Sequence, residues 1–378
     1  MLAAFYDVII IGSGPAGLAA ALTADKCGAK TLLIERDANL GGILKQYIND
    51  GYGFARFGEK LTGPEYVQKF IKHLYKTNVE ISNLTFIKKI DRQPFGFLLT
   101  LVNTDGVIKT ACKSIVLACG CRERTSRQIF IHGRHTAGVI TARTAQYYMN
   151  ILGKMPAKRC VVLGSGDTGL VEVSSVDEKM NPVYGTEEIV ECDTLVCSVG
   201  LIPENELAES LGLEIDEHTK GPVTDQDYMT MIDGVFCCGN ALHINDNVES
   251  ISENGEIAGK AAARWASEGW VSARKKGKRN FAIVKSDDSL LYIVPQRINL
   301  NEMASPAIIY FRSRHEMGKS ILSVTLNGNE VYRRIFPRLR PSEMERFLLD
   351  IESMKMERGN TVDFSLSSAH GYSGNCSL

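Results

Sequence analysis

The chain has 378 residues, of which 44% are hydrophobic and 23% are charged, and its formal net charge is −1. This length allows two or three packed domains, and the near-zero charge excludes a whole-protein attraction to nucleic acid or to anionic membranes. No uncharged apolar run approaches the roughly 20 residues that cross a bilayer, and no basic segment precedes the first apolar run as in a secretory signal. We therefore expect a cytoplasmic protein without a membrane span.

The N-terminal region has the pattern of a strand, a glycine-rich turn, a helix and a second strand that ends at Glu35. In such a βαβ unit the glycines let the backbone approach a pyrophosphate at the helix N terminus, and the acid holds ribose hydroxyls. The alternative, a glycine turn without a ligand, does not explain the acid at the end of the second strand. The predicted phosphate-binding turn consists of Gly12, Ser13, Gly14, Pro15, Ala16 and Gly17.

Further along the chain, the hydrophobic pattern predicts a helix over residues 63–76 and strands over residues 79–119, with a turn at 104–106. A second glycine-rich motif, at residues 164–169, follows the apolar run at residues 160–163. A later apolar strand ends at Gly239-Asn240, and a helix is predicted from about Glu253 to Ser267.

The C-terminal part changes in composition. Residues 272–280 are rich in Lys and Arg and read as an exposed linker; a nucleic-acid-binding module built on it is the alternative. Short strands then follow, with a hairpin signal at Asn327-Gly328 and a last helix announced by the capping box Ser342-x-x-Glu345. The polar end of the chain predicts disorder.

Several segments together resemble the pyridine nucleotide-disulfide oxidoreductase superfamily over about residues 5–270. They are Glu35-Arg36, Gly41-Gly42-Ile43-Leu44, Thr85-x-Ile87-x-x-Ile90, the strand ending in Ala118-Cys119-Gly120, and the strand ending in Cys238-Gly239-Asn240.

The resemblance implies that these segments enclose FAD, with Ile87 at the adenine, Ala118-Cys119-Gly120 at the pyrophosphate side and Gly239-Asn240 at the ribityl chain. The family has Asp where Asn240 stands, but an amide can still hydrogen-bond a hydroxyl. The helix starting near Glu253 would aim its N-terminal dipole at the flavin pyrimidine.

The implied fold is α/β: a Rossmann-like FAD-binding domain of the two-dinucleotide type, a truncated second nucleotide-binding unit and a small β-rich C-terminal domain. The predicted boundaries are 1–120 and 232–271 for the FAD-binding domain, 121–231 for the truncated NAD(P)-binding-like unit, 272–280 for the basic linker, 281–354 for the C-terminal domain and 355–378 for a disordered tail.

The second glycine motif resembles the family's NAD(P) motif, and residues 192–203 resemble the strand that ends that domain. The two lie too close together, because a nucleotide-binding βαβ unit needs roughly 30 residues and a helix directly after the glycines. Residues 171–176 instead alternate like a strand, and Gly185 marks a turn. Glu187 and Glu188 read as solvated hairpin charges rather than as a ribose ligand. We therefore expect FAD but not NAD(P) in this chain.

The cysteines, one charged segment and two histidines are further candidate functional residues. The ten cysteines form no Cys-x-x-Cys pair, which excludes the usual dithiol and zinc spacings, although Cys119 and Cys238 could act on a flavin or simply be small residues beside it. Arg122-Glu123-Arg124 could orient an acidic substrate or form a local ion-pair cluster. His132 and His135 lack further ligands, so no metal is expected. No catalytic residue or general base is assigned, because flavin chemistry belongs largely to the cofactor.

The motif Gly120-Cys121-Arg122-Glu123-Arg124-Thr125 and the extra C-terminal domain resemble a bacterial subgroup that accompanies glycerol-3-phosphate dehydrogenase-type flavoproteins and is related to flavin subunits of opine, proline and sarcosine dehydrogenases. This predicts an FAD-dependent oxidoreductase working with a glycerol-3-phosphate or amino-acid dehydrogenase. The alternative is a non-catalytic FAD-binding scaffold. A protein partner, or a second copy of the chain, is expected to bind through the C-terminal domain. The strand-rich pattern of this domain, with Arg333, Arg334, Arg338 and Arg340 near a capped helix, contains no recognisable catalytic set.

Overall fold

The computed structural model divides the chain into two compact units, each with its own sheets. The main unit comprises Met1–Gly42, Phe70–Gly120 and Glu204–Leu378, and the second unit comprises Ile43–Lys69 and Cys121–Pro203. The structure describes residues 4–129, 131, 137–164, 172–173, 185–186, 188–189, 191–269, 279–301 and 306–369.

The strands in chain order are β1 (Phe5–Ile11), β2 (Thr31–Ile34), β3 (Asp50–Tyr52), β4 (Leu61–Thr62), β5 (Glu80–Ser82), β6 (Phe86–Gln93), β7 (Gly96–Asn103), β8 (Gly106–Leu117), β9 (Cys121–Glu123), β10 (Val139–Thr141), β11 (Cys160–Gly164), β12 (Glu172–Val173), β13 (Glu188–Ile189), β14 (Thr194–Ser198), β15 (Leu201–Pro203), β16 (Val235–Cys237), β17 (Phe281–Ser286), β18 (Leu290–Val294), β19 (Arg297–Asn299), β20 (Ala307–Ser313), β21 (Ser320–Leu326), β22 (Asn329–Phe336), β23 (Glu345–Leu349) and β24 (Thr361–Ser368). The α-helices are α1 (Pro15–Lys26), α2 (Phe54–Phe57), α3 (Gly63–Leu74), α4 (Ala142–Gln146), α5 (Glu206–Ser210) and α6 (Val248–Arg264).

A seven-stranded sheet forms the centre of the main unit, in the order β5-β2-β1-β8-β7-β6, with β16 also paired to β8. β1 runs parallel to β2 and β8, and its last residue, Ile11, lies opposite Leu117. Val8 to Ile11 are all buried, as expected for a parallel strand that is covered on both faces. The predicted Rossmann-like α/β fold, the helix over residues 63–76 and the strands over residues 79–119 are confirmed.

Helices α1 and α6 pack with their backbones in close contact. A Cβ atom on Gly255 would lie 2.1 Å from the carbonyl oxygen of Ala16, and one on Gly259 would lie 2.3 Å from that of Ala20. Only glycine permits this approach, because any side chain at either position would overlap backbone atoms.

Two further sheets form the C-terminal part of the main unit, in the orders β19-β17-β24-β21-β22 and β18-β20-β23. They share one core, which includes Phe311, Phe347 and Phe364. Asn327 and Gly328 join β21 to β22 with φ values of 50° and 87°, the left-handed conformation that a tight hairpin turn requires. The predicted hairpin and the β-rich C-terminal part are thus confirmed.

Two predictions for this region were wrong. The capping box Ser342-x-x-Glu345 does not begin a helix, because Glu345–Leu349 is strand β23, antiparallel to β20. The predicted disordered tail contains β24, which lies between β17 and β21 in the five-stranded sheet. The domain core therefore extends to Leu366, beyond the predicted limit at residue 354, while residues 370–378 lie outside the described part.

The basic linker is only partly described, since residues 270–278 lie outside the described part. Arg279, predicted to be exposed, is largely buried and forms ion pairs with Asp225 at 3.2 Å and with Asp233 at 2.8 Å. This residue anchors the start of β17 to the main unit, and its charge is already compensated.

The second unit contains a three-stranded parallel sheet in the order β10-β14-β11. The antiparallel pair β12–β13 lies in the sequence between β11 and β14. The second unit ends at Pro203, whereas its predicted range extended to residue 231. Residues 204–231 belong to the main unit, where Glu204 N–H donates to Gly120 and Thr230 N–H donates to Val235.

Substitution of Gly255 tests the contact between α1 and α6. We expect Gly255→Ala to lower the free energy of unfolding by about 1–3 kcal/mol, because the new methyl group must push the two helices apart. Gly318→Ala is the matched control, since its Cβ would meet no atom within 4 Å, and we expect a change within about 0.5 kcal/mol. Urea unfolding curves of equal slope provide the comparison; equal stabilities of the two variants would contradict the close packing.

Candidate dinucleotide site

The turn between β1 and α1 is built by close backbone contacts. Gly12 has a φ of 102°, and a Cβ atom there would lie 2.4 Å from the carbonyl oxygen of Ala118. A Cβ on Gly17 would lie 1.8 Å from the carbonyl oxygen of Gly12. At Gly14, by contrast, a Cβ would meet nothing within 4 Å. The turn is therefore tight against the sheet on one side and open at the position that precedes the helix.

The N terminus of α1 is arranged to receive an anion. Gly14 is the N-cap residue and carries no side chain that could bond the first N–H groups of the helix, and Pro15 occupies the first helical position. Such N–H groups and the helix dipole together favour a negatively charged ligand. Gly42 lies beside this turn, because a Cβ on it would come within 2.8 Å of the Gly14 Cα.

Glu35 follows β2 and is 7% exposed. Its carboxylate accepts hydrogen bonds from Ser13 N at 2.9 Å, Ser13 Oγ at 2.5 Å and Asp37 N at 2.8 Å. These bonds fix the carboxylate beside the glycine turn, and a carboxylate has about four acceptor positions. Glu35 can therefore still accept a bond from a hydroxyl group, as ribose recognition requires.

Three loops leave the same edge of the central sheet. Ile11 of β1 is opposite Leu117 of β8, which is in turn opposite Cys237 of β16, and all three strands are parallel. The glycine turn and the loops starting at Ala118 and Cys238 consequently lie side by side at the carboxyl ends of the strands. This is the edge at which open α/β sheets bind ligands.

Gly239 and Asn240 lie close to the N terminus of α1. Gly239 has a φ of 64°, and a Cβ atom there would lie 2.8 Å from the Ala16 Cβ. The Asn240 side-chain oxygen accepts a hydrogen bond from Asn245 N at 2.9 Å. The side-chain amide of Asn240 is therefore held by its own loop, with its orientation fixed.

The remaining residues predicted to bind the cofactor lie outside the turn between β1 and α1. Ile87 lies on β6 and is 7% exposed, whereas Arg36 is exposed. Cys119 and Gly120 follow Ala118 in its loop. Ile43 belongs to the second unit.

The predicted start of α6 was wrong. The helix begins at Val248, with Asn247 as its N-cap, and the Asn247 side chain accepts a hydrogen bond from Ser250 N at 2.7 Å. Glu253 is in the second turn of the helix, and its carboxylate is bound by Arg346 at 2.6 Å. The side chain of Glu253 is thus engaged by protein groups, and the first turn of α6 is the part that can face a ligand.

The cysteines near this edge are reduced and poorly reactive. Burial, together with the charge of Glu204, raises the pKa of the Cys119 thiol to about 12. Burial and the proximity of Cys119 also raise the pKa of Cys238. Because the thiolate is the reactive form, these shifts favour the interpretation as small residues beside the site over direct redox action.

His243 lies near this edge and was not predicted from the sequence. It is completely buried, and burial lowers its pKa to about 3, so the ring is neutral at physiological pH. The ring packs against Tyr310 with a centroid distance of 5.1 Å. No sequence motif marked it; only its position three residues after Asn240 could have drawn attention to it.

Within the segment of residues 122–124, Glu123 is engaged by a neighbouring residue of the second unit. Glu123 accepts hydrogen bonds from the backbone N–H of Arg143 at 3.0 and 3.1 Å. The Arg143 guanidinium in turn contacts Cys121 Sγ at 3.0 Å. Glu123 is therefore committed to local structure, while Arg122 and Arg124 are exposed.

The second glycine motif is described only in part. Gly164 ends β11, but residues 165–171 lie outside the described part, as do residues 174–184, Glu187 and Val190. The strand predicted within residues 171–176 is confirmed at Glu172–Val173, which pairs antiparallel with Glu188–Ile189. Glu188 thus lies in strand β13 and not in the turn in which it was predicted.

The sequence predicted neither a metal site nor a membrane span. Among the described residues, no group of three or more His, Cys, Asp or Glu side chains is arranged to hold a metal ion, and His132 and His135 lie outside this part of the chain. Among the helices described, none has the length and apolar character needed to cross a membrane.

Comparison with known proteins agrees with this geometry. The profile of the family described as pyridine nucleotide-disulphide oxidoreductase matches residues 6–182 and 170–262. An opine oxidase subunit of Agrobacterium tumefaciens is 22% identical over 69% of this chain and 65% of its own length. A thioredoxin reductase of Listeria innocua is 24% identical over 70% of this chain and 94% of its own length.

The fold also matches a solved structure. L-proline dehydrogenase from P. horikoshii superposes with a TM-score of 0.58 and 22% identity, covering 72% of this chain and 58% of that chain. The chain therefore spans less than two thirds of this dehydrogenase chain, and the same holds for the opine oxidase relative. Because the family profile covers well over half of the sequence, the chain belongs to the pyridine nucleotide-disulphide oxidoreductase family.

Proposed function

We propose that this protein binds FAD and acts as an FAD-dependent oxidoreductase. The observation that carries the proposal is the meeting of three features at one sheet edge: the uncapped N terminus of α1, the fixed carboxylate of Glu35 and the loop at Gly239-Asn240. The N terminus of α1 would hold the pyrophosphate, Glu35 the adenosine ribose, and Asn240 the ribityl chain. An oxidoreductase reaction agrees with the family to which the chain belongs.

When bound, FAD supplies the hydride or electron transfer. The residues of the chain then bind and orient it. The backbone of Gly14 to Gly17 compensates the phosphate charge, and the N-terminal end of α6 would favour negative charge on the flavin pyrimidine. The thiols of Cys119 and Cys238 take no part in this scheme.

We further propose that the protein works as a subunit beside a dehydrogenase that acts on glycerol-3-phosphate or on an amino acid. The name of the opine oxidase relative, which is itself a subunit, supports such a role. Binding of a partner, or of a second copy, through the C-terminal sheets remains part of this proposal. Two arginines of the C-terminal part are engaged locally: Arg333 pairs with Glu330, and Arg338 pairs with Glu316.

The second unit supports the proposal that NAD(P)H is not an efficient reductant. A nucleotide-binding βαβ unit would place a parallel strand beside β11 after a crossover helix. In the described part of this segment, the chain instead forms the antiparallel pair β12–β13. The alternative function, a non-catalytic FAD-binding scaffold, rests on the same feature, since losing nicotinamide binding could end turnover.

Substitution of Glu35 tests the FAD site. We expect Glu35→Ala to weaken FAD binding by about 1–3 kcal/mol, because charge-assisted hydrogen bonds to the ribose are lost. Glu217→Ala, which removes an exposed acid far along the chain from the motif, is the control and should leave the affinity unchanged. Titration of the apoprotein with FAD, followed by fluorescence quenching, measures both variants. A purified protein that is colourless and cannot be reconstituted with FAD would overturn the proposal.

Anaerobic mixing with nicotinamide nucleotides tests the role of the second unit. We expect NADH and NADPH to leave the flavin oxidised over minutes. Hydride transfer needs the nicotinamide anchored at about 3–3.5 Å from the flavin, and the described part of the second unit has the antiparallel pair β12–β13 between β11 and β14. Dithionite should bleach the same sample, which shows that the flavin is reducible. Rapid and saturable bleaching by either nucleotide would mean that residues 160–200 form a working site.

A further inference from the structure

A polar contact joins α6 to the C-terminal sheets within the main unit. The carboxylate of Glu253, on α6, accepts two hydrogen bonds from the Arg346 guanidinium. Nη2 lies 2.6 Å from Oε1, and Nε lies 3.0 Å from Oε2. Arg346 belongs to β23, so the partner of this helix residue comes from a segment 93 residues away. The geometry is the bidentate fork that gives the strongest arginine–carboxylate pairs.

The neighbouring residue extends this contact into the interior. Asn254 is completely buried, and its side-chain nitrogen donates to the hydroxyl oxygens of Tyr228 at 2.9 Å and Tyr310 at 3.0 Å. The hydroxyl of Tyr310, on β20, donates in turn to Glu253 at 3.2 Å. Arg346 and Tyr310 together therefore fix two consecutive residues of α6.

The held segment is next to the proposed flavin site. Ile251 lies two residues before Glu253, and its Cγ2 would be 3.3 Å from a Cβ on Gly239. Gly255 lies two residues after Glu253 and packs on Ala16 of α1. The pair of Glu253 and Arg346 is thus attached to the part of α6 that flanks both the Gly239 loop and the N terminus of α1.

The charge of Glu253 matters because of its place in the helix. The N-terminal turns of a helix carry a positive partial charge, which favours an anion beside the helix N terminus. A carboxylate in the second turn opposes this effect unless a cation compensates it. Arg346 supplies that cation, and because both side chains are about one third exposed, solvent will reduce the effect without removing it.

We propose that Arg346 and Tyr310 are positioning residues through which the C-terminal sheets tune the flavin: they hold and neutralise Glu253, so that the N terminus of α6 stabilises the reduced, anionic flavin. This inference rests on the proposed binding of FAD. The C-terminal sheets are then part of the redox site, in addition to any role in binding a partner.

Four variants of the full-length, FAD-loaded protein test this inference: Arg346→Met, Glu253→Gln, the double variant and the control Arg338→Met. The control removes an arginine that pairs with Glu316, with both residues in segments that connect strands of the C-terminal sheets. The readout is the midpoint potential of the bound flavin, measured anaerobically against a reference dye. This potential reports the ratio of the affinities for reduced and oxidised FAD, which loss of a purely structural contact would not change with a defined sign.

The expected shifts have opposite signs. Arg346→Met leaves Glu253 uncompensated and should lower the affinity ratio of reduced to oxidised FAD by about threefold to tenfold, which is about 15–30 mV for two electrons. Glu253→Gln should raise this ratio by a similar factor, because Arg346 then remains without its acid. The double variant should return to the wild-type value, and Arg338→Met should not shift it. The charge of Glu249, in the first turn of α6, is the same in all variants, so its effect on the potential cancels when the variants are compared with the wild type.

The outcomes separate the two claims. If FAD binds and all variants share the wild-type potential, or if both single variants shift in the same direction, the inference is overturned while FAD binding stands. If no FAD binds to the wild-type protein, both the inference and the proposed function are overturned. Should Arg346→Met fail to fold, the midpoint potential of Glu253→Gln still tests the inference, because this variant keeps the size of the side chain. An upward shift supports the inference, and an unchanged or lower potential overturns it.

Discussion

The close contact between α1 and α6 is the constraint on which the rest of the main unit depends. Gly255 and Gly259 bring the backbone of α6 onto the carbonyl groups of Ala16 and Ala20, closer than any side chain would allow. Since α1 begins directly after β1, this contact brings the N-terminal part of α6 to the carboxyl edge of the central sheet. Two helix N termini, each with a positive partial charge, are thereby available at one edge.

This arrangement explains why the C-terminal sheets belong to the same compact unit as the central sheet. They reach α6 and the segment before it through hydrogen-bonded side chains rather than through an apolar face alone. Gln226 and Asn299 exchange two hydrogen bonds, at 2.8 and 3.1 Å, and Arg297 pairs with Glu214. Such directional contacts fix an orientation, whereas an apolar contact of the same size would leave more freedom. The small C-terminal domain is therefore integrated into the fold.

Local patterns allowed the central sheet and its glycine turn to be predicted from the sequence. The strand, turn and helix at the N terminus are contiguous in the chain, and their residues carry the signal themselves. The errors arose where distant pairing decided the structure. The segment Glu345–Leu349 comes after a helix-start signal in the sequence. Phe347 and Leu349, two residues apart, are nevertheless both buried in the shared core, and pairing with β20 makes this segment a strand.

The same reason accounts for the missed strand near the C terminus. The serine-rich composition suggested disorder, yet Val362, Phe364 and Leu366 recur with the period of two that a half-buried strand requires. The contact of Glu253 with Arg346 could not be predicted, because neither residue carries a motif and 93 residues separate them. For α6, the cap at Asn247 was overlooked in favour of a start near Glu253.

Calorimetric titration of the apoprotein with FAD and with FMN tests the account most directly. The proposed site binds a whole dinucleotide, with the pyrophosphate at the N terminus of α1 and the adenosine ribose at Glu35. FAD should therefore bind at one molecule per chain and at least about 100-fold more tightly than FMN, which lacks the adenosine and is held by fewer hydrogen bonds. Equal affinities for FAD and FMN, or binding of neither, would contradict the assignment of this sheet edge as a dinucleotide site.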